Sequence, residues 1–330
     1  MAHVVIVGSG VVGTATGKGF ARHGHRVSFV DIDPRRIDAL RSEGFGATDH
    51  VRLPSEPSIV FLTLPTPNDG HRWDLGPFRR GAEQVAEAMK DSHALHTVVV
   101  RSTVPPGTTD GLVRPILEEA TGGRQGERFS LAANPEFLRA ACALEDFLNP
   151  RMTVVASRSK RTLERMRRLF EPFGGEIHTF GDPRVAELVK CAHNLFNATK
   201  ISFWNEIWRV GNRLGMDVAD VARIVSRSAE GSYNPEYGIN AGAPYGGACL
   251  PKDTKGFLGF ARHVGVEMPL LQAVDEVNEQ VAADGQGITP DRHEAADGPT
   301  TVPSAPPVAG TIEPDAADPS ADGQAVRRAS

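Results

Sequence analysis

Short apolar runs alternate with amphipathic stretches through the first half of the chain. Residues 4–7 form an unbroken apolar run of strand length, residues 14–23 carry helical spacing, and residues 26–30 return to strand after Gly24 stops the helix. That succession is one β-α-β unit. Further apolar strands are predicted at 59–64, 97–100, 129–132 and 153–156, separated by helical stretches such as 79–90 and 111–119. Strands alternating with helices in this way predict an α/β fold with a Rossmann-type, doubly wound parallel sheet.

Beyond Asp182 the periodicity changes. Long helical patterns over 184–214 and 218–228 predict a second, smaller and mostly helical domain. A Gly- and Pro-rich loop over 231–247 follows, then a helix after Pro251 and another over 269–283. From 284 to 330 the chain is Ala, Pro, Gly, Asp, Thr and Ser with few aliphatics and no aromatic residue. Such a segment buries too little surface to offset its ordering entropy, so a disordered tail is expected. The domains are therefore read as 1–183, 184–283 and 284–330.

Composition narrows the class. With 40% hydrophobic and 23% charged residues among 330, the chain reads as an ordinary globular protein. No apolar run approaches the roughly 20 residues of a membrane helix, and the N-terminus lacks the pattern of a secretory leader, which predicts a cytoplasmic protein with no membrane partner. A net charge of -5 argues against a nucleic-acid partner. The basic cluster between Arg158 and Arg168 reads as a solvated helix face. Cys142, Cys191 and Cys249, odd in number and widely spaced, suggest neither a disulfide framework nor a metal site.

Chemistry begins at Gly8-Ser9-Gly10-Val11-Val12-Gly13, a glycine fingerprint directly after a strand and opening a helix. Gly8 suits the tight turn, Gly10 lets the backbone approach a pyrophosphate, and Gly13 permits close helix packing; the helix amino end stabilises the phosphate charge. Asp31, at the tip of the next strand, is placed to accept the ribose hydroxyls and to repel a 2′-phosphate, which selects NAD over NADP. Asp33 is a second candidate for that role, while Arg35 and Arg36 oppose the preference. A glycine turn without a dinucleotide is the alternative.

Four further segments set polar residues in apolar or glycine-rich surroundings: 101–107, 134–139, 190–194 and 246–253. The first two follow strands, whose carboxyl ends form the ligand crevice of an open parallel sheet, so Thr103 and Glu136 should project toward a bound cofactor. Lys190 and Asn194, four apart on a helix, share a face and could both donate to one oxyanion; simple solvent exposure is the alternative. Cys249 precedes Pro251 at a predicted helix start. A helix amino end and Lys252 would both favour a nucleophilic thiolate there, with Asp253 one turn on, against the inert role of an ordinary cysteine.

Taken in order, these residues resemble the UDP-glucose/GDP-mannose dehydrogenase family over roughly 4–281. The resemblance is carried by the fingerprint, Leu64-Pro65-Thr66-Pro67, Ser102-Thr103-Val104-Pro105-Pro106-Gly107, Asn134-Pro135-Glu136-Phe137-Leu138-Arg139, Lys190 with Asn194, and Tyr245-Gly246-Gly247-Ala248-Cys249-Leu250-Pro251-Lys252-Asp253-Thr254. It implies two NAD-dependent oxidations of the C6 alcohol of a nucleotide sugar to the carboxylate, through a thiohemiacetal and a thioester on Cys249. Lys190 and Asn194 would hold the oxyanion, and Glu136, Thr103 and Asp253 would position or deprotonate water. Thr66 and Thr103 would join the cofactor site. Glu136, Phe137, Leu138, Arg139, Lys190, Asn194, Tyr233, Tyr245 and Gly246 would contact the substrate, and the long helix would build a homodimer.

Three departures stand out. The family's second glutamate, in a Phe-Leu-Arg-Glu-Gly run, is Ala140 here, which questions the hydrolytic half-reaction. An Arg-Ile-Gly segment before the glycine-rich loop is replaced by Ser228-Ala229-Glu230-Gly231-Ser232-Tyr233-Asn234-Pro235. The family's third, Rossmann-like domain has no counterpart in 284–330, which leaves a lid from a partner chain, a different substrate handle or a truncated remnant as readings. Two other functions stay open beside the sugar 6-dehydrogenase: an alcohol oxidoreductase that stops after two electrons, and a non-catalytic NAD-binding subunit.

Overall fold

In the computed structural model, which describes residues 1–90, 92–239 and 241–284, eight strands form one sheet. The elements in chain order are β1 (His3–Val7), α1 (Val11–Arg22), β2 (Arg26–Val30), α2 (Pro34–Ser42), β3 (Gly46–Thr48), β4 (Ser58–Leu62), α3 (Gly76–Met89), β5 (His96–Val100), α4 (Arg114–Thr121), β6 (Phe129–Ala133), α5 (Ala143–Leu148), β7 (Met152–Ala156), α6 (Lys160–Phe170) and β8 (Glu176–Phe180). Next come α7 (Pro183–Arg213), α8 (Ala219–Ser228), α9 (Glu230–Tyr233), α10 (Leu250–His263) and α11 (Pro269–Asp284). The chain divides into two compact units, residues 1–202 and the residues from 203 on.

The sheet of the first unit has the order β3-β2-β1-β4-β5-β6-β7-β8. From β3 to β6 every pairing is parallel, and β1 lies between β2 and β4 in a register that sets Val5 beside Ser28 and Val60. The parallel reading fails at one place: β6 meets β7 antiparallel, through Ala133 and Ala156, and β8 then runs parallel to β7. Alternation within strands builds two cores. Val4 and Ile6 face a layer with Phe20, Phe29, Phe61 and Phe170, while Val5 and Val7 face Val60, Phe78, Val85 and Leu131. Each fully buried aliphatic side chain contributes about 1.5–3 kcal/mol. The central strands, buried on both faces, therefore carry most of the cohesion.

The second unit is helical where described. Val210, Leu258, Ala261, Val266 and Met268 form its core, with Ile207, Val264 and Leu271 packed against them. Buried Glu206 on α7 accepts the backbone N–H groups of Leu270 and Leu271 at 2.7 and 3.1 Å, satisfying donors at the start of α11 that no helix carbonyl reaches. Helix α11 reaches Asp284, the first residue of the tail expected over 284–330, and the rest of that tail lies outside the described residues. Among the described residues, no helix is long and apolar enough to cross a membrane.

Candidate active site

The fingerprint turn folds as its residue types dictate. Gly8 has φ +94, and a Cβ there would stand 2.6 Å from the Thr63 carbonyl oxygen; a Cβ on Gly13 would fall 1.9 Å from the Gly8 oxygen. Both glycines are required by the chain itself. Gly10 differs: it caps α1, and a Cβ on it would meet nothing within 4 Å. That open side faces a cavity of about 480 Å³ lined by Ser9, Gly10, Val11, Thr14, Lys18 and Arg36. Val11, Val12 and Gly13 supply the first-turn N–H groups of α1, which have no carbonyl partner within the helix and suit an anionic pyrophosphate. These features fit a dinucleotide.

Asp31 is buried beside the turn. Its Oδ2 accepts the Ser9 N–H at 2.6 Å, the Ser9 hydroxyl at 2.8 Å and the Arg36 guanidinium at 3.4 Å, while among the described residues Oδ1 accepts only the Asp33 N–H, at 2.9 Å. Burial opposes its ionisation, but the donors from Asp33 and Ser9, with Arg36 beside them, hold the carboxyl below its ordinary value. A carboxylate offers about four lone-pair positions, so Oδ1 keeps capacity for a ribose hydroxyl. Asp33 serves otherwise: it caps α2 through the Arg35 N–H and pairs with the Arg35 guanidinium at 3.1 Å.

Around the ends of β5 and β6 the polar segments interlock. The Thr66 hydroxyl donates to the Thr103 carbonyl at 2.7 Å, and the Ser102 hydroxyl to that of Leu64 at 2.7 Å, tying together the two loops that carry those residues. Buried Lys190 and partly buried Glu136 form an ion pair at 3.1 Å, with the ammonium 5.4 Å from the Phe137 ring centroid. The other Glu136 oxygen accepts the Leu138 N–H at 2.6 Å. Lys190 is thus buried, against the plain-exposure alternative, whereas Asn194, one turn on, is exposed in the chain as described. Arg139 reaches away to Asp146 through two guanidinium bonds, at 3.0 and 2.7 Å. Ala140 lines the cavity beside Ser9, Gly10 and Val11. The position where the resemblance implies a second glutamate therefore lies on the same cavity as the fingerprint turn.

Two charged residues were given no role by the sequence reading, Arg101 within the 101–107 segment and Glu187 outside all four. Arg101 is buried and bonds to Thr16 and Asn134. Glu187 accepts the N–H of Gly107 at 2.5 Å, and the N–H and hydroxyl of Thr109 at 2.8 and 2.6 Å, anchoring α7 to the loop that follows Thr103. Burial pushes the Glu187 carboxyl up, and the three donors pull against it. A signal existed: Glu187, Lys190 and Asn194 fall at i, i+3 and i+7 on one helix face. We expect Glu187→Gln, whose amide N–H would oppose the Gly107 N–H, to lower unfolding free energy by about 2–4 kcal/mol in denaturant titrations.

In the second unit Cys249 is exposed and caps α10, with Pro251 in the first turn. Its carbonyl accepts the Asp253 N–H at 2.8 Å. Lys252, expected to attend the thiol, pairs with the Asp253 carboxylate and stands near enough to Cys249 for the two groups to interact electrostatically. The preceding loop is held to α11 by Asn278, which accepts the Tyr245 N–H at 2.7 Å and donates to its carbonyl at 3.2 Å. Tyr245 and Gly246 line a largely apolar cavity of about 650 Å³ with Leu250, Val274 and Val277; Tyr233, at the end of α9, is exposed.

Comparison with known proteins gives this geometry a lineage. Residues 2–51 and 42–174 match the NAD binding domain of the UDP-glucose/GDP-mannose dehydrogenase family, and residues 184–280 match its central domain. The chain belongs to that family. It is 35% identical over 302 residues to the UDP-glucose 6-dehydrogenase AglM of Haloferax volcanii, covering 83% of this chain and 69% of the relative. Among solved structures, a ternary complex of GDP-mannose dehydrogenase from Pseudomonas aeruginosa superposes with a TM-score of 0.77 at 28% identity, covering 85% of this chain and 69% of that one. A UDP-glucose dehydrogenase from Pyrobaculum islandicum gives a TM-score of 0.63 at 34% identity, covering 85% and 68%. Family membership makes NAD the cofactor of the first unit and the chain an oxidoreductase.

Proposed function

We propose that this chain oxidises the C6 primary alcohol of a nucleotide sugar to the carboxylate, consuming one water and two NAD per sugar and releasing two NADH and three protons. Bound NAD accepts a hydride in each of the two oxidations. The first leaves an aldehyde. Cys249 Sγ then adds to its carbon to form a thiohemiacetal, loss of the second hydride gives a thioester, and water displaces the sulfur to free acid and thiol. Lys190 and Asn194 donate to the oxyanion at each tetrahedral stage. Glu136, Thr103 and Asp253 position the hydrolytic water and take its proton. Phe137, Leu138, Arg139, Tyr233, Tyr245 and Gly246 serve the sugar nucleotide.

One observation carries this reading: an exposed thiol at the first turn of a helix, in a chain whose other unit is an NAD-binding domain. A dehydrogenase that stops at the aldehyde has no use for a nucleophile. The relatives' names, UDP-glucose 6-dehydrogenase and GDP-mannose 6-dehydrogenase, point to the substrate class and differ in base and sugar. We place the protein in the cytoplasm as a homodimer, the exposed Leu195, Phe196 and Ile201 of α7 being apolar surface suited to a second copy.

The test is stoichiometric. Purified protein with excess NAD and a panel of UDP- and GDP-hexoses should form two NADH per sugar and a uronic acid for one panel member. One NADH with a trappable aldehyde would replace this reading by the two-electron oxidoreductase. No NADH with any sugar, despite measurable NAD binding, would leave the non-catalytic subunit.

A further inference from the structure

Arg101 carries a charge where charge is expensive. Only 4% of its surface is exposed, and among the described residues none of its hydrogen-bond partners is a carboxylate. The Nε donates to the Thr16 hydroxyl at 2.9 Å; one terminal nitrogen donates to the Asn134 side-chain oxygen at 2.6 Å and to its carbonyl at 3.4 Å. The guanidinium carbon lies 5.3 Å from the Phe147 ring centroid and 6.0 Å from that of Phe61. Burial draws the Arg101 pKa down to about 10, against the pull of Glu136, so the group stays cationic at neutral pH. Well-packed apolar side chains generally replace buried ions without loss of stability, so cohesion alone does not account for an arginine here.

Its two partners and its own place in the chain suggest what does. Thr16 lies in α1, whose first turn is the dinucleotide fingerprint. Arg101 itself stands two residues before Thr103, and Asn134 two residues before Glu136. Asn134 is fixed in turn, its N–H donating to the Val100 carbonyl at 2.8 Å and its amide to the Val154 carbonyl at 2.7 Å. A rigid planar fork thus joins the helix that carries the fingerprint to the loop that carries Glu136, from a backbone that runs directly into the loop that carries Thr103.

We propose that Arg101 is a positioning residue that holds the cofactor-binding helix in register with the loops bearing Thr103 and Glu136. It acts through these groups and touches neither substrate nor cofactor. Its contribution to turnover rests on the function proposed above; its contribution to NAD affinity does not, so calorimetric NAD binding is measured beside activity.

The decisive pair is Thr16→Val and Thr16→Ser, the first isosteric but without the oxygen that Nε needs, the second retaining it. Thr16→Val should raise the NAD dissociation constant about tenfold, and Thr16→Ser should stay within about twofold of the parent. Arg101→Ala should weaken NAD binding by at least as much as Thr16→Val and lower kcat with little change in the sugar's KM. Arg101→Lys, or millimolar guanidinium added to Arg101→Ala, should restore a large part of both. Parental NAD affinity in folded Thr16→Val would overturn the proposal, as would losses in the Arg101 variants that neither lysine nor guanidinium recovers. Should Arg101→Ala fail to fold, the threonine pair still decides. If no sugar is turned over yet NAD affinity follows this pattern, the proposed function fails and the positioning role stands.

Discussion

Replacing Cys249 with alanine is expected to cut uronic acid formation by about 10³-fold or more, equivalent to about 4 kcal/mol of transition-state stabilisation. The protein should remain folded. Cys249 is exposed, and surface substitutions of this kind usually change stability by no more than about 0.5 kcal/mol. Without the thiol no thioester forms, so a sugar aldehyde should accumulate and be trapped by a hydrazine in the variant's reaction mixture. Chemical modification offers a check on the same residue. Desolvation pushes the thiols of Cys142 and Cys191 up, aided by Asp146 at the first and Glu187 at the second, which slows their alkylation at neutral pH. Iodoacetamide should therefore label Cys249 first and abolish acid formation in step with that label. Full acid formation by Cys249→Ala would remove covalent capture from the mechanism.

The strands that sequence reading located are those whose physics is local. Residues 4–7 and 129–132 are continuous apolar runs because both faces of a central strand are buried, and the structure puts strands there. The edges gave no such signal: β3 is only three residues, and β8 reads Glu-Ile-His-Thr-Phe, a mixed pattern on a strand paired along one side. Reversal of β7 depends on tertiary pairing through Ala133 and Ala156 and leaves no trace in hydrophobicity. The structure brings Lys190 and Glu136 together, and the helix face that Lys190 shares with Glu187 was legible from spacing, but the burial of Arg101 was not, since a charged residue beside a Pro- and Gly-rich motif looks solvated until its partners are known. Gly10 could be read from spacing, and the space in front of it could not.

Lys190→Met should show the second large effect, on stability and turnover together. Methionine fills a similar volume but strands the Glu136 carboxylate in a largely enclosed place with the Leu138 N–H as its remaining hydrogen-bond donor among the described residues. Breaking a buried pair from one side typically costs about 3–5 kcal/mol, and losing an oxyanion donor lowers kcat about 10²–10³-fold. A double variant separates the two contributions. Glu136→Gln on the Lys190→Met background removes the stranded charge, so unfolding free energy should recover by about 2 kcal/mol or more, while turnover should stay well below that of Glu136→Gln alone, the reference that carries the loss of the carboxylate's own role. If both quantities recovered together, Lys190 would be a structural cation and the oxyanion would have to be held elsewhere.

The three fingerprint glycines answer to different kinds of selection. Gly8 and Gly13 are dictated by backbone packed against them, so a lineage under pressure only to fold would keep both. Gly10 faces open space, and that same lineage would let it drift to any small residue without penalty. Its glycine is a debt to a molecule outside the polypeptide. In a library scored first for abundance and then for cofactor retention, position 10 would look indifferent in the first reading and intolerant in the second, a divergence that separates heredity of shape from heredity of use.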